Sequence, residues 1–200
     1  LKVGLFPYSV GHDIALGGEY ENYGALLNAG SKGLEWNMYY GYPDLANKRL
    51  GPGIDQEKYQ GMGYQHSKAH FFASDIKIEA AGNTFQPYVG FLLDRTGPRR
   101  LNYFSTPTVR DTLGTAGLSG DIVLSRFSYA FEGARNFGCA QSDSPGFKNV
   151  EHAGYFLFSD AAYEFNKITP HARFAYSSGN KVTEDMINNG DQLFTSGKNR

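Results

Sequence analysis

Cysteine, tryptophan and net charge are all scarce in this chain, and each scarcity removes a class of function. Cys139 stands alone, so no intramolecular disulfide framework and no cysteine-rich zinc site can form. Nineteen Lys and Arg face 20 Asp and Glu, a formal net charge of −1, which gives no electrostatic footing for nucleic acid. Mean hydropathy is negative, and no apolar run approaches the about 18 to 20 residues that a membrane helix requires. A helical membrane protein is excluded. No charged segment followed by an apolar run and a cleavage site opens the chain, so any export signal has been removed or lies outside this sequence. Leu1 enters strand-like sequence at once and Gly197-Lys198-Asn199-Arg200 reads as loop; both ends look cut.

Catalytic motifs are equally absent. His66 and His70 are spaced for one helix face, but Ser67 stands where zinc enzymes of that pattern carry Glu. Loop histidines ahead of a strand are the better reading. Glu184, Asp185, Asn188, Asn189 and Asp191 are rich in oxygen without EF-hand spacing, as a solvated loop would be. Asp160 and Glu164, four apart on a strand, would sit about 13 Å apart, too far for a glycosidase pair. No Gly-x-Ser-x-Gly elbow and no phosphate-binding glycine loop is present; Gly51-Pro52-Gly53 and Gly61-Met62-Gly63 are turn chemistry. Some small outer-membrane barrels act on lipids, but no motif for that chemistry is found. The expectation is no enzyme, no cofactor and no metal.

What the chain does contain is alternation. Phe72, Ser74, Ile76, Ile78 and Ala80 share one strand face, with Asp75, Lys77 and Glu79 on the other. After Gly82-Asn83, a strong hairpin signal, Phe85, Pro87, Val89, Phe91 and Leu93 oppose Gln86, Tyr88, Gly90 and Asp94. Phe127, Tyr129 and Phe131 oppose Arg126, Ser128 and Glu132. Tyr155, Leu157, Ala161, Tyr163 and Phe165 oppose Asp160 and Glu164, although Phe156 and Phe158 fall on the polar side. Beyond 167–170, Ala172, Phe174 and Tyr176 flank Arg173. Fourteen Tyr and 15 Phe suit strands and interfacial girdles. A membrane-spanning barrel alternates in this way because lipid and lumen take alternate residues; a soluble β-sandwich or barrel alternates too.

Connection lengths separate the two. Strands are predicted near 1–8, 33–42, 69–81, 84–94, 111–118, 122–134, 152–166 and 171–178. The links after the third, fifth and seventh are short, at Gly82-Asn83, Ser119-Gly120-Asp121 and 167–170. Those after the second, fourth, sixth and eighth are long, and rich in Gly, Pro, Asn, Asp and basic residues. Soluble sandwiches need no such sidedness. One stretch breaks the parity: 9–32 should be a short turn but is long, and holds either an extra strand near Ile14–Tyr20 or a segment folded into the lumen.

Two stretches carry a family resemblance. Val3-Gly4 through Gly11 to Ile14, Leu16 and Gly17 resembles the VGxxxxxxGxGIxLG segment of outer-membrane proteins related to the alginate-export porins. The strand from Thr169 to Ser177-Ser178-Gly179-Asn180, with Gly190-Asp191-Gln192-Leu193-Phe194 after it, is similar to that family's strand ending in Ser-Gly-Asp before a long outer loop. The resemblance implies a monomeric outer-membrane barrel of more strands than are visible here, passing polyanionic polysaccharide or small solutes. The chain departs from the family in mixing carboxylates with basic groups at its inward positions, which puts alginate itself in doubt. It also shows about eight strands where aqueous porins use about 16 to 18.

The fold expected is therefore all-β, an antiparallel up-and-down transmembrane β-barrel over 1–200, most simply a fragment of a larger barrel. A small barrel plugged by side chains is the other form. Its lumen-lining residues would be Asp75, Lys77, Glu79, Arg126, Glu132, Asp160, Glu164 and Arg173. The expected function is a porin-like channel of the bacterial outer membrane, passing small polar solutes or saccharides through a mixed-charge lumen. Its partners are the lipid bilayer, those solutes and accessory protein subunits, with no nucleic acid. A structural surface barrel serving partner proteins and a soluble β-rich binding protein are the alternatives.

Overall fold

Alternating apolar and polar residues over stretches of 9 to 15 positions leave a strand one way to satisfy both neighbours: one face for each kind of side chain. The computed structural model describes residues 1–6, 8–12, 22–42, 69–95, 99–100, 107–108, 110–141 and 150–178. These form β1 (Lys2–Phe6), β2 (Asn22–Ser31), β3 (Leu34–Tyr42), β4 (Ala69–Ala80), β5 (Asn83–Asp94), β6 (Arg99–Arg100), β7 (Pro107–Thr108), β8 (Arg110–Leu124), β9 (Phe127–Gln141), β10 (Val150–Glu151), β11 (Tyr155–Tyr163) and β12 (His171–Ser177). No helix occurs among the described residues.

Nine strands build one antiparallel up-and-down sheet in the order β1-β2-β3-β4-β5-β8-β9-β11-β12. The short β10 pairs with β9, and β6 with β7 apart from the sheet. The all-β, up-and-down expectation is met. Closure is not: among the described residues β1 and β12 are edges, and the sheet does not join itself.

Register carries each face across the sheet. Leu34 pairs with Ile78, Ile78 with Phe85, Phe85 with Gly120, Gly120 with Phe131, Phe131 with Ser159 and Ser159 with Phe174. On the other face run Asn37, Asp75, Tyr88, Gly117, Ala134, Phe156 and Ser177. The apolar face is the exposed one. Ile76, Phe91 and Phe174 are 40, 38 and 56% exposed, whereas Asp75 and Glu132 on the polar face are 2 and 1% exposed. The large apolar side chains do not converge on a core between two sheets.

Turns set the sidedness. Ala81 and Gly82 take φ of 51° and 80°, the two left-handed residues of a tight hairpin whose twist matches its strands. This turn lies one residue earlier than Gly82-Asn83, since Asn83 already pairs with Ala80. A larger correction concerns Ser119-Gly120-Asp121. These residues lie inside β8, paired to β5 and β9, and the chain turns at Ser125-Arg126 instead. Gly and Asp resemble a turn in sequence, but Gly120 sits under the Phe131 ring and Asp121 continues the polar face. β9 likewise runs on to Gln141, past the predicted end at 134.

The parity exception also resolves. A strand at Asn22–Ser31, turning to β3 through Lys32-Gly33, was missed by the alternation. With it, every short turn (32–33, 81–82, 125–126 and 164–170) falls at one end of the antiparallel sheet, and the longer connections fall at the other. The predicted strand near Ile14–Tyr20 lies outside the described residues.

Candidate functional site

The polar face is the candidate site, and its centre is covered by the chain's own residues 8–12. Leaving β1, this segment crosses the face from β4 toward β11. Tyr8 donates its hydroxyl to Asp75 Oδ1 at 2.7 Å and stacks on Tyr39 with ring centroids 4.3 Å apart and planes 1° from parallel. Val10 is 2% exposed. Gly11 N–H donates to Gln86 Oε1 at 3.3 Å, and His12 N–H donates to Glu132 Oε2 at 2.9 Å. Gly11 has φ of 65°, and a Cβ there would come 2.7 Å from Ser119 Oγ. A glycine suits this crossing on both counts.

Neutral donors reach both central carboxylates. Asp75 Oδ2 accepts from Gln86 Nε2 at 2.9 Å and from Asn37 Nδ2 at 3.2 Å. Glu132 Oε1 accepts from the Tyr88 hydroxyl at 2.7 Å. Burial, then the hydrogen bond to Asp75, raises the Tyr8 phenol well above its ordinary range, so it remains a donor. The His12 ring faces Asp121 Oδ1 at 3.8 Å and packs beside Phe158, 5.8 Å between centroids. Phe158 thus has a reason to break the alternation of β11: it meets this segment.

The predicted lumen residues divide into three groups. Asp75 and Glu132 come together under residues 8–12. Lys77 with Glu79 at 2.6 Å, and Arg173 with Asp160 at 2.6 and 2.9 Å, form close pairs nearer the short turns. His171 adds a 3.4 Å contact to Asp160. Arg126 and Glu164 leave the face altogether. Arg126 is in the β8–β9 turn and Glu164 lies just past β11, its N–H donating to the Arg126 carbonyl at 2.8 Å. Arg126 follows from the misplaced turn, because a strand begun at 122 counts it as an inward residue.

Other polar groups share the face and were not singled out. Glu35 accepts from Asn28 and Asn37 at 2.7 and 3.1 Å. Asp94 pairs in register with Asp111, and His152 Nε2 lies 2.7 Å from Asp111 Oδ1, all three buried. Asp121 lies on the same face. Strand positions of the polar face therefore carry Glu35, Asp75 and Glu79 on β3 and β4, Asp94, Asp111 and Asp121 on β5 and β8, and Glu132 and Asp160 beyond. Lys2, Lys77 and Arg173 are the strand-borne cations there. Among the described residues, eight acids but three bases occupy strand positions of this wall. Composition hides that inequality. The parity break at 9–32 was the sequence signal for the covering segment, and Phe158 was a second.

The apolar face carries fewer charges than the polar one among the described residues. Among the described strand residues its ionic side chains are Arg110 on β8, Arg135 on β9 beside Tyr155, and Glu151 on the short β10. No protein-family model, no curated protein and no solved structure matches the chain.

Proposed function

We propose that this sheet is the wall of a porin-like channel in the bacterial outer membrane, passing small polar solutes or saccharides along its polar face. The inversion of burial carries the reading: carboxylates are covered while Phe, Ile, Leu and Tyr side chains stand exposed across every long strand. In water each such side chain forgoes roughly 1.5 to 3 kcal/mol of burial, and soluble monomers rarely leave an apolar surface of this extent open. Hydrocarbon would satisfy it. Strands of 12 and 15 residues exceed the about 9 to 11 that a tilted strand needs to cross a bilayer. Short turns at one end and longer connections at the other fit such a barrel.

Direction supports a larger barrel. β1 and β12 are first and ninth in an alternating order, so they run the same way and cannot close on each other antiparallel. Antiparallel closure would take an odd number of further strands between them. The resemblance to alginate-export porins fits that scheme, whereas polyanion export does not fit a wall this rich in carboxylates. A structural barrel serving partner proteins is the second reading, favoured by the way residues 8–12 fill the polar face.

Solubility without detergent and conductance in planar bilayers test the proposal together. Detergent dependence with solute-permeable channels is the expected result. Detergent dependence with no conductance selects the structural barrel, and stable monomers without detergent select a soluble binding protein.

A further inference from the structure

We propose that Arg135 and Glu151 form a binding site on the apolar face for a zwitterionic phospholipid, with the lipid's phosphate on Arg135 and its ammonium on Glu151. The inference rests on the membrane reading above and deepens it by naming the kind of lipid and where it sits.

Two opposite charges stand on this face with nothing to neutralise them. Arg135 on β9 and Glu151 on β10 are both exposed, and neither enters an ion pair among the described residues. β10 and β11 keep one register against β9, with Glu151 opposite Cys139 and Tyr155 opposite Arg135. The two charges are therefore four residues apart along the strands, about 13 Å at strand rise. That span leaves room for a headgroup between them.

Packing opens the space. Phe137, between Arg135 and Cys139, turns toward β8 and β5: a Cβ at Gly114 would meet its ring, and Phe91 meets it edge-on with centroids 5.7 Å apart. By the same register the residue beside it on the other side is Ala153, which fills little. The result is an open pocket of about 650 Å3, lined on this face by Arg135, Phe137, Cys139, Glu151 and Ala153. The backbone beneath it is tied. The Asn136 N–H donates to the Gly154 carbonyl at 2.7 Å, and the His152 N–H donates to the Gly138 carbonyl at 2.9 Å.

Depth and order select the ligand. Arg135 is nine residues past Arg126 in the turn, which at a rise of about 3.3 Å and a tilt of about 40° puts it about 23 Å above the short turns. That is the rim of an apolar band about 25 Å tall. Tyr155 and Tyr176, their rings 5.7 Å apart, are the amphipathic aromatics that suit such a rim. Glu151 lies further out. In a phospholipid the phosphate follows the glycerol and the ammonium follows the phosphate, so the lipid presents its charges in the order in which the sheet presents their partners. Arginine takes a phosphate through two parallel N–H donors, and the carboxylate accepts from the ammonium. A lipid with phosphate alone would bring its charge toward Glu151 uncompensated.

Native mass spectrometry of the full chain in detergent, titrated with phosphatidylethanolamine or with phosphatidylglycerol, reads both halves of the site. The expected result is one retained phosphatidylethanolamine at concentrations where phosphatidylglycerol is released. Arg135→Gln should weaken phosphatidylethanolamine by roughly tenfold or more, the loss of charge-assisted hydrogen bonds. Glu151→Gln should act in opposite directions, weakening phosphatidylethanolamine and strengthening phosphatidylglycerol. Both positions are exposed, and heat-modifiable mobility on gels checks that the variants fold. No retained lipid, retention of phosphatidylglycerol equal to or above that of phosphatidylethanolamine, or indifference to both substitutions overturns the site. A protein that stays monomeric without detergent rejects the membrane reading itself, a distinct failure.

Discussion

The Tyr88 hydroxyl reaches from β5 across β8 to Glu132 Oε1 on β9, 2.7 Å away, and it passes over Gly117. A Cβ at that glycine would run into the Tyr88 ring, so the absence of a side chain on one strand permits a bond between its two neighbours. That bond helps fix the carboxylate that the His12 amide also uses. Sequence, packing and site meet here in three residues.

Tyr88→Phe should therefore cost about 1 to 3 kcal/mol, the usual penalty for removing a partner from a buried polar group. Gly117→Val should disturb the same bond by displacing the ring. Urea titration of the protein folded in detergent micelles would measure both. A Tyr88→Phe variant as stable as the parent would show that Glu132 is held by its other contacts alone.

Placing arginine on the apolar face distinguishes lipid from water. Val89 and Phe91 lie mid-strand on β5, partly to well exposed. On a water-facing surface such changes usually stay within about 0.5 kcal/mol. Facing a bilayer midplane, Val89→Arg should cost about 2 to 4 kcal/mol. Folding free energies into lipid vesicles check this, and a cost near zero would favour the soluble reading.

Most of the sheet was legible because alternation depends only on nearest neighbours along a strand. The faces of β4, β5 and β12 follow residue by residue from their sequences, down to Asp75 on the polar face and Phe174 on the apolar one. β2 escaped because its sequence, NYGALLNAGS, carries few of the large alternating side chains that marked the others. The turn after β8 was misread because Ser119-Gly120-Asp121 has turn composition, while the residues that do turn, Ser125 and Arg126, do not. Ser125 takes φ of 56° without being Gly or Asn, a conformation set by the hairpin and not by its own preference. The anchoring of residues 8–12 joins positions 67 to 120 apart in sequence. No local pattern encodes contacts of that range.

Insertion mapping should locate the β8–β9 turn. A short hydrophilic tag placed between Ser125 and Arg126 should be tolerated, because loop lengthening there costs little. The same tag at Gly120 would break the ladder from β5 through β8 to β9 and shift one strand end relative to the other. Heat-modifiable mobility on gels reads folding in both variants. Equal tolerance at the two sites would contradict the register of Gly120 with Phe85 and Phe131.

The three basic residues that alternation assigns to the lumen should behave differently from one another. Lys77 and Arg173 lie on the polar wall but are matched by Glu79 and Asp160; replacing either with Ala frees a carboxylate and makes the wall more negative. Arg126 lies in the turn at the end of the sheet, where solvent screens it over about a Debye length of 8 to 10 Å. Lys77→Ala and Arg173→Ala should thus move the reversal potential toward potassium, and Arg126→Ala should leave it nearly unchanged. The sign follows from which partner remains after each truncation. A shift toward chloride in Lys77→Ala or Arg173→Ala, or a large effect of Arg126→Ala, would mean that the carboxylates do not set the field and that the passage runs elsewhere than along this face.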